Sequence, residues 1–191
     1  MSHEKFRVAD IERLNDESRF ETTPPDVLWQ ALGDPVPGTI VDIGAGTGLF
    51  SCRFAEMAPG SEVYAVDLEP VMVDWMLEHR ATQCGGRLHP LLGDEAHVPL
   101  PDGVADLVVM MNLHHELVEP VANYREAFRL LAAGGWILVV DWLPGGAEAG
   151  PPQHIRVSPE GIGAALSEAG FDSVVAHPGL RLHSLITALR P

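Results

Sequence analysis

Lysine is almost missing from this chain of 191 residues: Lys5 is the single example, and Lys and Arg together number 12 against 27 Asp and Glu. A formal charge of −15 argues against nucleic acid as partner, because binding a phosphate backbone rests on clustered cations. The same field favours a cationic ligand. Cysteine is scarce as well. Cys52 and Cys84 have neither metal-ligand nor redox spacing, so two free thiols in a cytoplasmic protein are expected, with no metal site. No apolar run approaches the roughly 18 residues of a membrane helix. The opening MSHEKFRVADIERLNDE is too charged for a secretory signal, and no membrane partner is expected. With 46% hydrophobic and 20% charged residues, the chain has the composition of one globular domain with a real core.

The first 38 residues are polar and carry TTPPDVLWQAL and GDPVPG, a segment expected to hold two short helices. From Thr39 onward strands and helices alternate. TIVDI, SEVYAVD, RLHPLLGD, VADLVVMMN and GWILVVDW read as strands, and the fourth is apolar enough to be buried on both faces. Between them GLFSCRFAEMA, PVMVDWMLEHRA (Pro70 at its start) and EPVANYREAFRLLAAGG, closed by Gly134, read as helices. LPGGAEAGPPQ is a loop. A last helix follows, with Ser158 as N-cap, Pro159 at its first position and Gly170 as its stop, before two strands, FDSVVAHPG and LHSLITALR. The pattern predicts an α/β fold: a doubly wound, Rossmann-like, mostly parallel sheet with helices on both faces and an antiparallel C-terminal strand.

In such a sheet the strand C-termini share one edge, where ligands bind. The first strand runs into Gly44, Ala45, Gly46, Thr47 and Gly48. A dinucleotide turn would put its third glycine where Leu49 stands, so the pyrophosphate reading weakens. What remains is a tight turn whose bare backbone admits a ligand at the start of a helix. Asp42, Asp67, Asp94 and Asn112 close the first four strands, an acidic rim suited to a cationic nucleoside. A carboxylate at Asp67 suits a ribose diol, and one at Asp94 an exocyclic amine. Taken singly, a strand-to-helix corner, a helix cap at Asp67 and a turn cap at Asp94 are the structural alternatives.

VDIGAGTG, VYAVDLEPVMV, LLGDEAHVPLPDGVADLVVMMNLHHEL and REAFRLLAAGGWILVVDW, in that order and spacing, resemble the motifs of the class I S-adenosylmethionine-dependent methyltransferases. Within them the chain most resembles the small quinone-methyltransferase-like group, which HEKF…ERLND and PPDVLWQAL also resemble. The resemblance implies S-adenosyl-L-methionine as cofactor and methyl transfer to a small-molecule acceptor that it does not identify. It implies that Gly44, Ala45 and Gly46 pack against the methionine part, Asp67 holds the ribose and Leu68 lies against adenine. Asp94 would receive the adenine amine and Glu95 the ring nitrogen, with the methionine ammonium on carbonyls near Met111 and Asn112. Asp42 would shape the turn and its field. Residues 1–38 are expected to form a lid, with 39–191 as the cofactor-binding domain.

The paired His114 and His115 could supply a general base or be structural, and Tyr124, Arg125 and Arg129 are expected on a helix face turned from the crevice. Arg156 stands in a loop able to overhang it. The cofactor supplies the driving force, so no catalytic residue is required by the sequence: in-line positioning is worth roughly 7–11 kcal/mol, more than a lone base contributes. A non-catalytic binder of S-adenosylmethionine or S-adenosylhomocysteine is the main alternative. An aminopropyl transferase and, more weakly, a nicotinamide dehydrogenase follow. Oligomeric state is left open.

Overall fold

The computed structural model describes residues 8–145 and 149–191. Three helices, α1 (Val8–Leu14), α2 (Arg19–Thr22) and α3 (Pro25–Ala31), precede the alternating part, one more than the two expected. Then follow β1 (Thr39–Ile43), α4 (Leu49–Met57), β2 (Glu62–Asp67), α5 (Pro70–His79), β3 (Leu88–Leu92), β4 (Ala105–Met111), α6 (Pro120–Leu130), β5 (Leu131–Trp142), α7 (Pro159–Glu168), β6 (Asp172–His177) and β7 (His183–Leu189). The sheet order is β3-β2-β1-β4-β5-β7-β6. All pairings are parallel except those of β7, which runs antiparallel to β5 and β6.

β4 shows why its sequence is continuously apolar. Leu107, Val109 and Met111 join the core under α3, α4 and α5, while Val108 and Met110 join the core under α6 and α7. Each such side chain removed from water contributes about 1.5–3 kcal/mol, and a strand covered on both faces has no polar side to show. At the opposite end of the strands, the Asp106 carboxylate accepts the amides of Gly38 (2.8 Å) and Thr39 (3.0 Å), setting β1 against β4.

Three expectations need correction. α6 ends at Leu130 rather than at Gly134, because Leu131 already pairs with Ala105; β5 bulges between there and Trp136. The third strand stops at Leu92, so Asp94 lies two residues beyond it. Cys52 and Cys84 are not free: they form a disulfide with a Cα–Cα distance of 5.6 Å. Both are buried in the same core, where α4 packs beside the turn that follows α5. The pair is 32 residues apart in sequence, which no local spacing rule detects. Among the described residues no helix is long and apolar enough to cross a membrane.

Candidate functional site

The turn from β1 to α4 is held by backbone and by one carboxylate. The amides of Gly44 and Ala45 both donate to the Val66 carbonyl, at 2.9 and 3.0 Å. Gly44 and Gly46 have φ of +75° and +57°, left-handed values that explain why glycine stands there. The Gly46 amide then donates to Asp67 Oδ2 at 2.7 Å, and Asp67 Oδ1 accepts the Glu69 amide at 3.0 Å. Asp67 is buried at the end of β2. Burial pushes its carboxyl up, against the amides of Glu69, Gly46 and Leu68, which favour the charged form.

Asp42 lies behind this turn with only 1% of its surface exposed. Its Oδ2 accepts the Ser51 hydroxyl at 2.5 Å, while Oδ1 has no partner among the described residues. Burial pushes the Asp42 carboxyl up to about 7; the Ser51 bond opposes this, the Asp67 charge adds to it and Arg19 opposes it.

Two hollows open along the strand rim. A narrow one of about 70 Å³ is lined by Gly44, Asp67, Leu68, Asp94 and Glu95 with Leu113. A larger cleft of about 600 Å³ is lined by Met111, Asn112, His115 and Trp142 on the sheet side. Arg13, Leu14 and Arg19 from the N-terminal segment, with the stretch from Gly150 to Ile155, form its other walls. Glu116 faces both hollows. Seven of the ten expected binding residues therefore line these spaces; Asp42, Ala45 and Gly46 stand behind or beside them. Leu14 lies over the turn, where a Cβ on Gly46 would sit 3.6 Å from its Cδ1.

Asp94 is exposed, and its Oδ1 accepts the Ala96 amide at 3.1 Å. Its loop is fixed from α6: Arg129 donates to the carbonyls of Val98 and Leu100 and to Asp102, and Glu126 accepts the Val98 amide. Asn112 adopts φ +57°. Its amide donates to the Val140 carbonyl at 2.7 Å, and its side-chain Oδ1 is buried without a partner among the described residues.

The adjacent histidines part company. His114 is buried, with Nδ1 hydrogen-bonded to the Tyr124 hydroxyl at 2.6 Å. Burial lowers the pKa of its imidazole and raises that of the Tyr124 hydroxyl. Tyr124 faces the core, fully covered. His115 turns the other way, into the larger cleft. Its Nδ1 lies 2.9 and 3.1 Å from the two oxygens of Asp141, and its backbone amide reaches the same carboxylate at 3.2 Å.

Asp141, with 1% of its surface exposed, was not foreseen, although it stands one residue before the end of β5, as Asp42 does in β1. Arg156 was foreseen without a role. It is buried, its guanidinium 5.4 Å from the Trp142 ring centre, and it donates to the carbonyls of Leu143, Ala149 and Pro151. It is a strut that folds the loop into a cleft wall. His183 packs its ring 4.2 Å from that of Trp142, and burial pushes it down to about 4. Neither of its ring nitrogens has a hydrogen-bond partner among the described residues.

A mostly parallel sheet with a glycine turn and a carboxylate-lined rim defines an α/β protein of the kind that binds ligands at its strand ends. The family described as "Methyltransferase domain" matches residues 41–139, over half of the chain, and the chain belongs to it. A demethylmenaquinone methyltransferase of Thermus thermophilus is 30% identical over 124 residues, 62% of this chain and 56% of that protein. A malonyl-[acyl-carrier protein] O-methyltransferase of Serratia marcescens is 35% identical over 108 residues, 56% of this chain and 40% of that protein. The chain spans about half the length, or less, of these relatives. A crystal structure of a SAM-dependent methyltransferase from Aquifex aeolicus superposes with a TM-score of 0.88 at 26% identity, covering 98% of this chain and 100% of that one.

Proposed function

We propose that this chain is an S-adenosylmethionine-dependent methyltransferase acting on a small-molecule acceptor. The observation that carries the reading is the Asp67 carboxylate, tied to the glycine turn by Gly46 and lining the narrow hollow beside it. Each of its oxygens accepts one amide and retains a lone pair for a ribose hydroxyl. The residues present fit the cofactor by a second criterion: Asn112, which lines the large cleft, has a buried side-chain Oδ1 with no donor among the described residues. Such an oxygen suits a ligand that carries cationic centres.

In this reading Leu68 lies against the adenine, Asp94 receives its amine and the Glu95 amide its ring nitrogen. Gly44, Ala45 and Gly46 bear on the methionine part, and carbonyls near Met111 and Asn112 take its ammonium. Asp42 tunes the turn and its field. When bound, the cofactor supplies an activated methyl group. The chain's own contribution is to exclude water, to align the acceptor and to hold charge at the rim. Residues 1–38 act as a lid on a domain of residues 39–191, a role supported by Leu14 over Gly46 and by Arg13 and Arg19 in the cleft wall. The net charge of −15 supports a small-molecule acceptor over nucleic acid.

Thermal shift against four ligands tests this reading. S-adenosylmethionine and S-adenosylhomocysteine should raise the melting temperature. NAD should not, and decarboxylated S-adenosylmethionine should do so less. A larger shift with either of the last two would replace methyl transfer by hydride or aminopropyl transfer.

A further inference from the structure

Building on the methyltransferase reading, we propose that His115 and Asp141 form a proton-accepting pair and that the acceptor is an acidic hydroxyl compound, a phenol or an enol. The geometry separates the two edges of the imidazole. Nδ1 is committed to Asp141, whose carboxylate is itself fixed by the Trp142 amide at 2.7 Å and the His115 amide at 3.2 Å. A buried carboxylate beside Nδ1 keeps the ring proton there and leaves the Nε2 lone pair as the acceptor. Nε2 has Glu116 Oε1 at 3.7 Å and no hydrogen bond among the described residues. Only 8% of the His115 side chain is exposed, and what it lines is the large cleft.

The adjacent residue shows what a structural histidine looks like in this protein: His114 is buried in the core against Tyr124. His115 is held as firmly, by Asp141, but presents its free edge to the space where an acceptor would sit. The groups around that edge favour taking up a proton from a nucleophile that becomes anionic. Asp141 and Glu116 lie beside the ring that takes up the proton, while Arg13 and Arg19 on the N-terminal wall of the cleft face the developing oxyanion. Arg19 keeps Nη1 on the Leu14 carbonyl and stacks over Phe50, which leaves other donors of its fork for a ligand. Leu14, Met111, Pro151, Pro152 and Ile155 supply apolar wall for an organic body.

The step balances without further reagents. The acceptor O–H gives its proton to His115 Nε2 while an oxygen lone pair forms the new bond to the methyl carbon. The carbon–sulfur bond breaks with its electron pair remaining on sulfur, and the proton on His115 is then released to water. An acceptor with no dissociable proton, such as a thioether or a tertiary amine, makes no use of this pair.

The test measures S-adenosylhomocysteine release from wild type and His115→Gln with catechol, 4-nitrocatechol, acetylacetone, dimethyl sulfide and trimethylamine. Wild type should methylate acidic hydroxyl compounds, and His115→Gln should lose about 10²–10⁴-fold in kcat on catechol at neutral pH. With 4-nitrocatechol, already largely ionised at about pH 8, the loss should shrink to about tenfold or less. The catechol rate of the variant should also recover as pH rises. Asp141, Glu116, His114, His183, Tyr124, Arg13 and Arg19 surround the pair, so the same profile is taken for Asp141→Asn, which should follow His115→Gln. Equal losses on both catechols, a loss of less than about fivefold on catechol, or turnover of the proton-free acceptors alone overturns the proposal. Calorimetric uptake of S-adenosylhomocysteine by each sample separates the failures. Uptake without methylation of any acidic acceptor overturns the proposal alone, whereas no uptake by wild type overturns the methyltransferase reading with it.

Discussion

The Gly46 amide donates to Asp67 Oδ2 at 2.7 Å across 21 residues of chain, and this bond joins the ends of β1 and β2 at the rim. It sets the height of the glycine turn relative to the carboxylate beside it. Asp67→Ala removes the acceptor of two amides, Gly46 and Glu69, in a partly buried place. A loss of about 1–3 kcal/mol of folding stability is expected. Asp67→Asn, which keeps one acceptor oxygen, should lose less. Urea unfolding of the two variants measures the difference.

Asp42 makes stability depend on pH in the direction opposite to a paired surface carboxylate. Its value rises from 3.8 in the unfolded chain to about 7 in the folded one, chiefly through burial. Between those values the folded protein holds a proton that the unfolded chain has lost, so this group's contribution falls as pH rises from about 4 to about 7. Asp42→Asn keeps an oxygen for Ser51 and removes the titration. Its melting temperature should therefore gain on wild type as pH goes from about 4 to about 8, by at most about 4 kcal/mol in free energy. A gap that stays constant across that range would show that Asp42 does not titrate there.

Tyr124 and His114 form a buried pair that lines neither the large cleft nor the narrow hollow. Tyr124→Phe leaves a buried imidazole nitrogen without its partner and should cost about 1–3 kcal/mol. Affinity for S-adenosylhomocysteine should stay within about twofold, as seen by calorimetry.

Arg156 gathers three carbonyls of the loop after β5 and covers the Trp142 ring. Gly150 is pressed against that ring so closely that a Cβ would come within 2.7 Å of it. Arg156→Met should free the loop, shown as faster proteolysis between residues 143 and 156. Its effect should fall on the KM for the acceptor far more than on cofactor affinity, because the loop walls the large cleft and not the narrow hollow.

The strand ends were legible because their apolar runs stop at acids. Asp67 closes β2, Asp42 stands one residue before the end of β1, and Asn112 follows β4 directly. Asp141 obeys the same rule one residue before the end of β5. The inward stripe of Tyr124, Ala127 and Leu130 was also readable, at helical spacing, and Tyr124 packs in the core away from the crevice, as expected. Other features leave no local trace. Gly134 looks like a helix stop, but pairing of Leu131 with Ala105 in the sheet decides the boundary earlier. The Cys52–Cys84 bridge depends on two distant segments meeting in one core. Arg156 binds carbonyls, which any residue can offer, so no side-chain pattern announces it.

Titration calorimetry of S-adenosylmethionine into wild type and Asp67→Asn tests the central claim most directly, that carboxylates at the sheet's rim hold an adenosyl sulfonium. Wild type should show saturable binding at one site. The variant should bind about 10–100-fold more weakly, the value of one charge-assisted hydrogen-bond pair. No heat with wild type, or equal affinity for the two proteins, would contradict it.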